Sequence, residues 1–171
     1  MDISPELRAR LEKITALVFD VDGVLTQGAI IYTDSGEEAK AFDVKDGLGM
    51  RVAAAGGLRV TLMTGRASSV VQRRARDLHI DEILQRVGDK AGALRTFAAH
   101  RGLDLAQIAF VGDDLNDLEA MRIAGVSIAQ SMRCRRSGIS PVSSPRPRAA
   151  AAAPGRRWRP CCALRGGGNR L

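Results

Sequence analysis

Five short apolar runs recur along the first 130 residues, and longer stretches with a helical spacing of apolar residues lie between them. The runs are rich in Val, Ile, Leu and Phe, and they read ALVFDV (16–21), RVTLMT (59–64), EILQRV (82–87), IAFVGD (108–113) and GVSIA (125–129). The helical stretches read KDGLGMRVAAAGG (45–57), ASSVVQRRARDLH (67–79), DKAGALRTFAAHRG (89–102) and LNDLEAMRIAG (115–125). Strands that alternate with helices predict a parallel sheet covered on both faces. The predicted fold class is therefore α/β, as a three-layer sandwich.

One segment, residues 27–43, departs from this alternation. It reads QGAIIYTDSGEEAKAFD, in which apolar and polar residues alternate on either side of the turn signal TDSGE. This pattern predicts a small β-hairpin inserted after the first strand. We assign residues 1–130, with this insertion, to one domain.

The last 41 positions, residues 131–171, differ in composition from that domain. The net charge of the chain is +7, but residues 1–130 contain 16 Lys and Arg and all 19 Asp and Glu, whereas residues 131–171 contain the other 10 basic residues and no acid. This Arg-, Pro-, Ala- and Gly-rich tail also contains all three cysteines and shows no apolar period. We predict a disordered or non-native tail, with an arginine-rich arm that binds polyanions such as nucleic acid as the less favoured alternative.

No stretch approaches the roughly 18 apolar residues of a membrane span. The first residues, MDISPELRARLEKI, are charged and helix-like rather than typical of a signal peptide. We therefore expect a cytoplasmic protein that does not bind membranes.

Residues suited to bind ligands follow the ends of three predicted strands. They are Asp20 and Asp22 after the first strand, Thr64, Gly65 and Arg66 after the next, and Asp113 with Asp117 after the fourth, while Lys90 opens a helix. The carboxyl ends of parallel strands meet at one crevice, so we expect these groups to lie together. Carboxylate oxygens suit Mg²⁺, and Lys and hydroxyl groups suit phosphoryl oxygens. The less favoured alternative is that Asp20 and Asp22 only form a turn and cap a helix.

Four motifs in this order, DVDGVLT, MTGR, a Lys at the head of a helix and GDDLND, resemble those of the haloacid dehalogenase superfamily of phosphatases. The resemblance runs from about residue 14 to about residue 129 and implies a Rossmann-like fold. The hairpin in place of a cap domain, followed by GEEAKAFDVKDGLGMR, resembles a small capless subfamily whose members are homotetramers. The resemblance thus implies a hydrolase that assembles as a tetramer.

The resemblance also implies roles for the residues at the strand ends. It makes Asp20 the nucleophile that forms an aspartyl-phosphate and Asp22 the general acid and base. It implies Mg²⁺ bound by the Asp20 carboxylate, the Asp22 backbone carbonyl and the Asp113 carboxylate. The phosphate would be bound by Thr64, Gly65 and Lys90, and Asp117 would support the metal or Lys90.

The implied substrate is a small phosphorylated sugar acid, 3-deoxy-D-manno-octulosonate 8-phosphate, in lipopolysaccharide precursor synthesis. Arg66 resembles the residue that pairs with the carboxylate of the sugar acid, for which a forked guanidinium is well suited. Two alternatives stay open: a related nine-carbon sialic-acid-type phosphate, or an inactive chain whose basic tail binds polyanions. The pattern of the subfamily is not recognisable after Gln130, so no substrate contact is assigned beyond it.

Overall fold

The computed structural model describes residues 3–80 and 82–130, together with the backbone of residues 150 and 151. Its α-helices are α1 (Pro5–Leu11), α2 (Val44–Ala55), α3 (Ser69–Asp77), α4 (Lys90–Arg101) and α5 (Leu118–Ile123). Its strands are β1 (Ala16–Phe19), β2 (Ile31–Tyr32), β3 (Glu38–Ala39), β4 (Arg59–Met63), β5 (Glu82–Leu84), β6 (Ile108–Gly112), β7 (Val126–Ala129) and β8 (Ala150–Ala151).

The main sheet is parallel and has the strand order β5-β4-β1-β6-β7-β8. Strand β1 lies inside it, with Ala16 opposite Arg59 of β4 on one side and opposite Ile108 of β6 on the other. The chain therefore builds the sheet outward from β1 in one direction and then in the other. Open parallel sheets bind ligands at such a reversal point, beyond the carboxyl ends of the strands.

Helices cover both faces of the sheet, and the predicted three-layer α/β sandwich is confirmed. Buried residues of α2 and α3 form one core cluster with strand residues, including Met50, Val71, Ala75, Val60 and Leu62. Buried residues of α4 and α5 form the other, including Leu94, Phe97, Met121, Val18 and Phe110. Within β6, Ile108 and Phe110 belong to the cluster with α4 and α5, and Val111 belongs to the other, as the two-residue period of a strand requires.

The predicted hairpin insertion is also present, as the antiparallel pair β2 and β3. Ile31 lies opposite Ala39, and Tyr32 lies opposite Glu38. The turn is closed by the Gly36 N–H, which donates to the Thr33 carbonyl at 2.8 Å, and Gly36 has a φ of +81° that favours glycine. The hairpin is the next element after β1 along the chain, and Lys40, which follows β3, pairs with Asp22, so the hairpin lies near the edge of the sheet where β1 ends.

The two-residue strand β8 pairs with β7, with Ala150 opposite Ser127. The rest of the predicted tail lies outside the described residues, so the domain boundary at residue 130 stays a prediction. Among the described helices, none combines the length and the apolar composition needed to cross a membrane.

A close backbone contact fixes the turn between α5 and β7, and it gives a test of the fold. A Cβ on Gly125 would lie 2.1 Å from the Ala106 carbonyl oxygen, whereas a Cβ on Gly49 of α2 would meet no atom within 4 Å. We expect Gly125→Ala to destabilise the protein by about 1–3 kcal/mol through overpacking. Gly49→Ala should stabilise it by up to about 1 kcal/mol, because alanine favours the helix. Urea unfolding of both variants measures the difference, and equal effects would contradict the close approach of Gly125 to Ala106.

Candidate active site

Asp20 follows β1 directly and is buried at the carboxyl edge of the sheet. Its backbone N–H continues the ladder by donating to the Val111 carbonyl of β6 at 2.9 Å. Its side chain pairs with Lys90, whose Nζ lies 2.8 Å from Oδ1. The sheet register therefore fixes the backbone of Asp20, and one ammonium group fixes its carboxylate.

Lys90 is the first residue of α4 and is also buried. The preceding residue, Asp89, caps the helix by accepting the Gly92 N–H at 2.9 Å, so the position of Lys90 is set by the cap. Burial alone would lower the pKa of Lys90, but the carboxylates of Asp20 and Asp117 hold that pKa above its ordinary value. Lys90 is therefore a fixed cation between two strand ends.

Asp117 is fully buried and organises the loop after β6. Its Oδ1 accepts from Lys90 Nζ at 2.6 Å, and its Oδ2 accepts the backbone N–H groups of Asp113 at 3.0 Å and Asp114 at 3.2 Å. A Cβ on Gly112 would lie 2.6 Å from the Cβ of Asp117, so this approach requires glycine. Asp117 thus links Lys90 to the loop that carries Asp113.

Three carboxylates form a group that suits a divalent cation. Asp20, Asp113 and Asp117 each offer one oxygen, and these oxygens lie within 4.8 Å of one another. Asp113 Oδ1 is buried and has no hydrogen-bond partner within residues 3–80 and 82–130. Since both Asp117 oxygens already accept hydrogen bonds, Asp20 and Asp113 are the carboxylates best placed to bind a hard cation.

Burial, together with the crowding of these acids, raises the pKa of Asp20 and of Asp113. Burial, followed by repulsion from Asp117, raises the pKa of Asp20 to about 6, although Lys90 opposes the rise. Burial, followed by repulsion from Asp20 and Asp117, raises the pKa of Asp113 to about 7. A bound cation would favour the charged form of both carboxyl groups.

Asp22 turns in a different direction from Asp20. Its Oδ1 forms an ion pair with Lys40 of the hairpin, and its Oδ2 accepts from Thr64 Oγ1 at 3.4 Å. The backbone bends at Gly23, which has a φ of +105°, and a Cβ there would lie 2.0 Å from Asp113 Oδ2. The bend therefore separates the two predicted catalytic carboxylates, and glycine also leaves room for Asp113.

The end of β4 brings the other predicted residues to the same edge. Thr64 is buried, and its Oγ1 accepts the Arg66 N–H at 3.2 Å as well as facing Asp22. Gly65 is exposed, and a Cβ there would meet only the Val87 carbonyl, at an ordinary 3.5 Å. Arg66 reaches back to the hairpin, with Nη2 3.2 Å from Tyr32 Oη and 3.5 Å from Glu38 Oε1.

Sequence reasoning assigned no role to the two hairpin residues that complete this arrangement, Lys40 and Glu38. Lys40 pairs with both Asp22 and Glu38, and Glu38 accepts from Ser68 Oγ. A signal existed in the alternation of Glu38, Ala39 and Lys40, which places the two charges on one face of a strand that follows β1. The partner of each charge could not be deduced from that pattern.

The raised pKa values predict how the stability of the metal-free protein depends on pH. In the unfolded chain an Asp ionises near pH 3.9, so the folded protein holds extra protons up to about pH 7. The contribution of these carboxyls to stability is therefore fully present below about pH 4, is lost progressively as the pH rises, and is gone above about pH 7. In EDTA, we expect the difference in Tm between the protein and Asp113→Asn to fall between about pH 4 and pH 7 and to change little at higher pH.

Asp34→Asn, in the exposed hairpin turn, is the matched control and should show no such trend. A Tm difference between the wild type and Asp113→Asn that stays constant with pH would contradict the assignment.

Comparisons with known proteins agree with this geometry. Residues 78–131 match the family model of haloacid dehalogenase-like hydrolases. The 3-deoxy-D-manno-octulosonate 8-phosphate phosphatase of Salmonella typhimurium is 37% identical over 127 residues, which cover 74% of this chain and 68% of that protein.

Solved structures of the same phosphatase are similar as well. The structure from Moraxella catarrhalis, a complex with magnesium ion, phosphate ion and KDO, is 41% identical, with a TM-score of 0.72 over 74% of this chain and 73% of that one. A cobalt-bound structure from Haemophilus influenzae is 37% identical, with a TM-score of 0.67 over 70% of each chain. These likenesses confirm the resemblance predicted from the motifs, and the chain is a phosphatase of the haloacid dehalogenase superfamily that belongs to the family of 3-deoxy-D-manno-octulosonate 8-phosphate phosphatases.

Proposed function

We propose that this chain is a Mg²⁺-dependent phosphomonoester hydrolase that removes phosphate from 3-deoxy-D-manno-octulosonate 8-phosphate. The observation that carries the proposal is the buried Asp20 carboxylate, paired with Lys90 at 2.8 Å and next to an Asp113 oxygen that lacks a partner in the described part of the chain. The reaction would be a step of lipopolysaccharide precursor synthesis in the cytoplasm.

Asp20 is the proposed nucleophile. A carboxylate attacks a phosphate dianion only where cations offset the repulsion between them, and Lys90 supplies one such charge from a fixed position. The carboxylates of Asp20 and Asp113 and the backbone carbonyl of Asp22 would hold Mg²⁺, which supplies further positive charge when bound. Asp117 keeps Lys90 and the Asp113 loop in place through three hydrogen bonds.

Asp22 is the proposed general acid and base. It protonates the departing sugar oxygen as Asp20 attacks phosphorus, and it then takes a proton from the water that hydrolyses the aspartyl-phosphate. The bend at Gly23 separates Asp22 from Asp20, and this separation supports the role. A second carboxylate beside Lys90 would compete with Asp20 for the ammonium group.

Substrate binding would use the end of β4 and Lys90. The Thr64 hydroxyl and the backbone at Gly65, beside Lys90, would bind phosphoryl oxygens. Arg66 is partly exposed on the rim, where its guanidinium can pair with the carboxylate of the sugar acid. The same groups fit a nine-carbon sialic-acid-type phosphate, so the choice between the two depends on the length of the sugar.

We also propose that the chain assembles as a homotetramer, because apolar side chains are exposed on the hairpin and on α2. Ile31 and Tyr32 of β2 are exposed, as are Val44, Leu48 and Val52, which recur every four residues along one face of α2. The last three are 80%, 63% and 64% exposed. A stripe of this kind is typical of a protein interface.

The decisive experiment is phosphate release by the purified protein from the eight-carbon and nine-carbon sugar acid phosphates, with Mg²⁺ and with EDTA. We expect release from the eight-carbon substrate that depends on Mg²⁺. A higher kcat/KM for the nine-carbon substrate would contradict the substrate assignment, and undiminished release in EDTA would contradict the metal dependence.

Asp20→Asn tests the nucleophile. The amide keeps the size of the side chain but lacks nucleophilic charge, so we expect kcat to fall on the order of a thousandfold or more with the fold retained. Asp34→Asn should keep the activity of the wild type. Retention of even a tenth of the activity by Asp20→Asn would exclude the role.

The double variant Leu48→Lys, Val52→Lys tests the assembly. Two charges on the exposed stripe of α2 should prevent close apolar contact, and the molar mass by light scattering should fall below that of a tetramer. Leu11→Lys on the surface of α1 is the control and should leave the mass unchanged. A tetramer in the double variant would exclude the stripe from the interface.

A further inference from the structure

Two buried lysines each form ion pairs with different carboxylates at the site. Lys90 pairs with Asp20 and Asp117, as described above. Lys40, which follows β3 of the hairpin, pairs with Asp22 and, at 3.2 Å, with Glu38 Oε1. The Lys40 side chain is only 1% exposed, which is unusual for a lysine on an inserted hairpin.

The position of Lys40 is fixed from outside the hairpin. Glu38 accepts a hydrogen bond from Ser68 Oγ, and Ser68 is the buried N-cap residue of α3. Arg66 Nη2 lies 3.5 Å from Glu38 Oε1 on the other side. Burial alone would lower the pKa of Lys40, but hydrogen bonds to Asp22 and Glu38 hold it above its ordinary value. Lys40 is therefore a held cation directed at Asp22.

Asp22 itself is less constrained. Its side chain is 25% exposed, and apart from Lys40 its described side-chain contact is the long 3.4 Å bond from Thr64 Oγ1 to Oδ2. If the ion pair with Lys40 were lost, the carboxyl could rotate about its side-chain torsions. The orientation of the proposed acid and base thus depends on the hairpin lysine.

Building on the proposed function, we propose that Lys40 is a positioning residue that fixes Asp22 by binding Oδ1, so that Oδ2 is the oxygen that transfers the proton. In the first step the bond from Asp20 to phosphorus forms, the bond from phosphorus to the ester oxygen breaks, and the proton on Oδ2 moves to the departing oxygen. In the second step a water oxygen bonds to phosphorus, the bond to Asp20 breaks, and one water proton returns to Oδ2.

This role predicts a loss that depends on the leaving group. Benzyl phosphate and 4-nitrophenyl phosphate are similar in size, but the benzyl alkoxide needs a proton to depart and 4-nitrophenolate does not. We expect Lys40→Met to lower kcat/KM for benzyl phosphate on the order of a hundredfold. The kcat/KM for 4-nitrophenyl phosphate should fall much less than a hundredfold. For this substrate kcat/KM reports the attack by Asp20, and the leaving group needs no proton.

Two further variants separate positioning from folding. Lys40→Arg keeps a charged donor beside Asp22 and should recover most of the benzyl phosphate activity that Lys40→Met loses. Lys13→Met removes an exposed lysine and should match the wild type on both substrates. Circular dichroism confirms that each variant is folded. If Lys40→Met itself unfolds, the comparison is made with Glu38→Gln, for which the same preferential loss on benzyl phosphate, smaller in size, is expected.

Equal losses on the two substrates, or no loss on either, would overturn the inference. Neither substrate contains a sugar acid, so the outcome is separate from the proposed function. If the wild type hydrolyses both test substrates but not 3-deoxy-D-manno-octulosonate 8-phosphate, the proposed substrate is wrong and the leaving-group comparison still decides the role of Lys40.

Discussion

The crowding of carboxylates at one edge of the sheet is the constraint on which the rest of the site depends. Asp20, Asp113 and Asp117 come within a few ångströms of one another in a buried place, where isolated charges are costly. Lys90 offsets part of this cost, and the raised pKa values of Asp20 and Asp113 show that it does not offset all of it. The remaining deficit of positive charge is what makes the site suited to a cation.

The topology explains why these groups converge. Strand β1 pairs with β4 on one side and β6 on the other, so the ends of three strands meet at the point where the sheet order reverses. Each strand end brings different chemistry: the proposed nucleophile, a hydroxyl and a proposed cation ligand. The rigid sheet holds their backbones in register, and the cap at Asp89 does the same for Lys90. Preorganisation of this kind is needed where repulsive groups must stay close.

Much of this arrangement could be predicted from sequence because it depends on local patterns. Strand ends follow from apolar runs, and parallel pairing then places Asp20, Thr64 and Asp113 at one edge. The pairing of Lys40 with Asp22 depends instead on how the hairpin packs against α3, through the contact between Glu38 and Ser68. No local period encodes that packing. The contact between Arg66 and Tyr32 depends on the same packing of the hairpin. The motif alone therefore predicted a substrate contact for Arg66 and gave no indication of its contact with the hairpin.

The two strands of the hairpin have different environments, and this difference connects the site to the surface. Glu38 and Lys40 are directed toward Asp22 and Ser68, whereas Ile31 and Tyr32 on the opposite strand are exposed. A two-stranded ribbon is marginally stable alone, so its position must be maintained by contacts on its faces. The described hydrogen bonds and ion pairs that join the ribbon to the rest of the domain are those of Glu38 and Lys40 and the bond from Arg66 to Tyr32. Any partner that covers Ile31 and Tyr32 would therefore also stabilise the ribbon that orients the proposed general acid, and assembly and catalysis would be coupled through this single insertion.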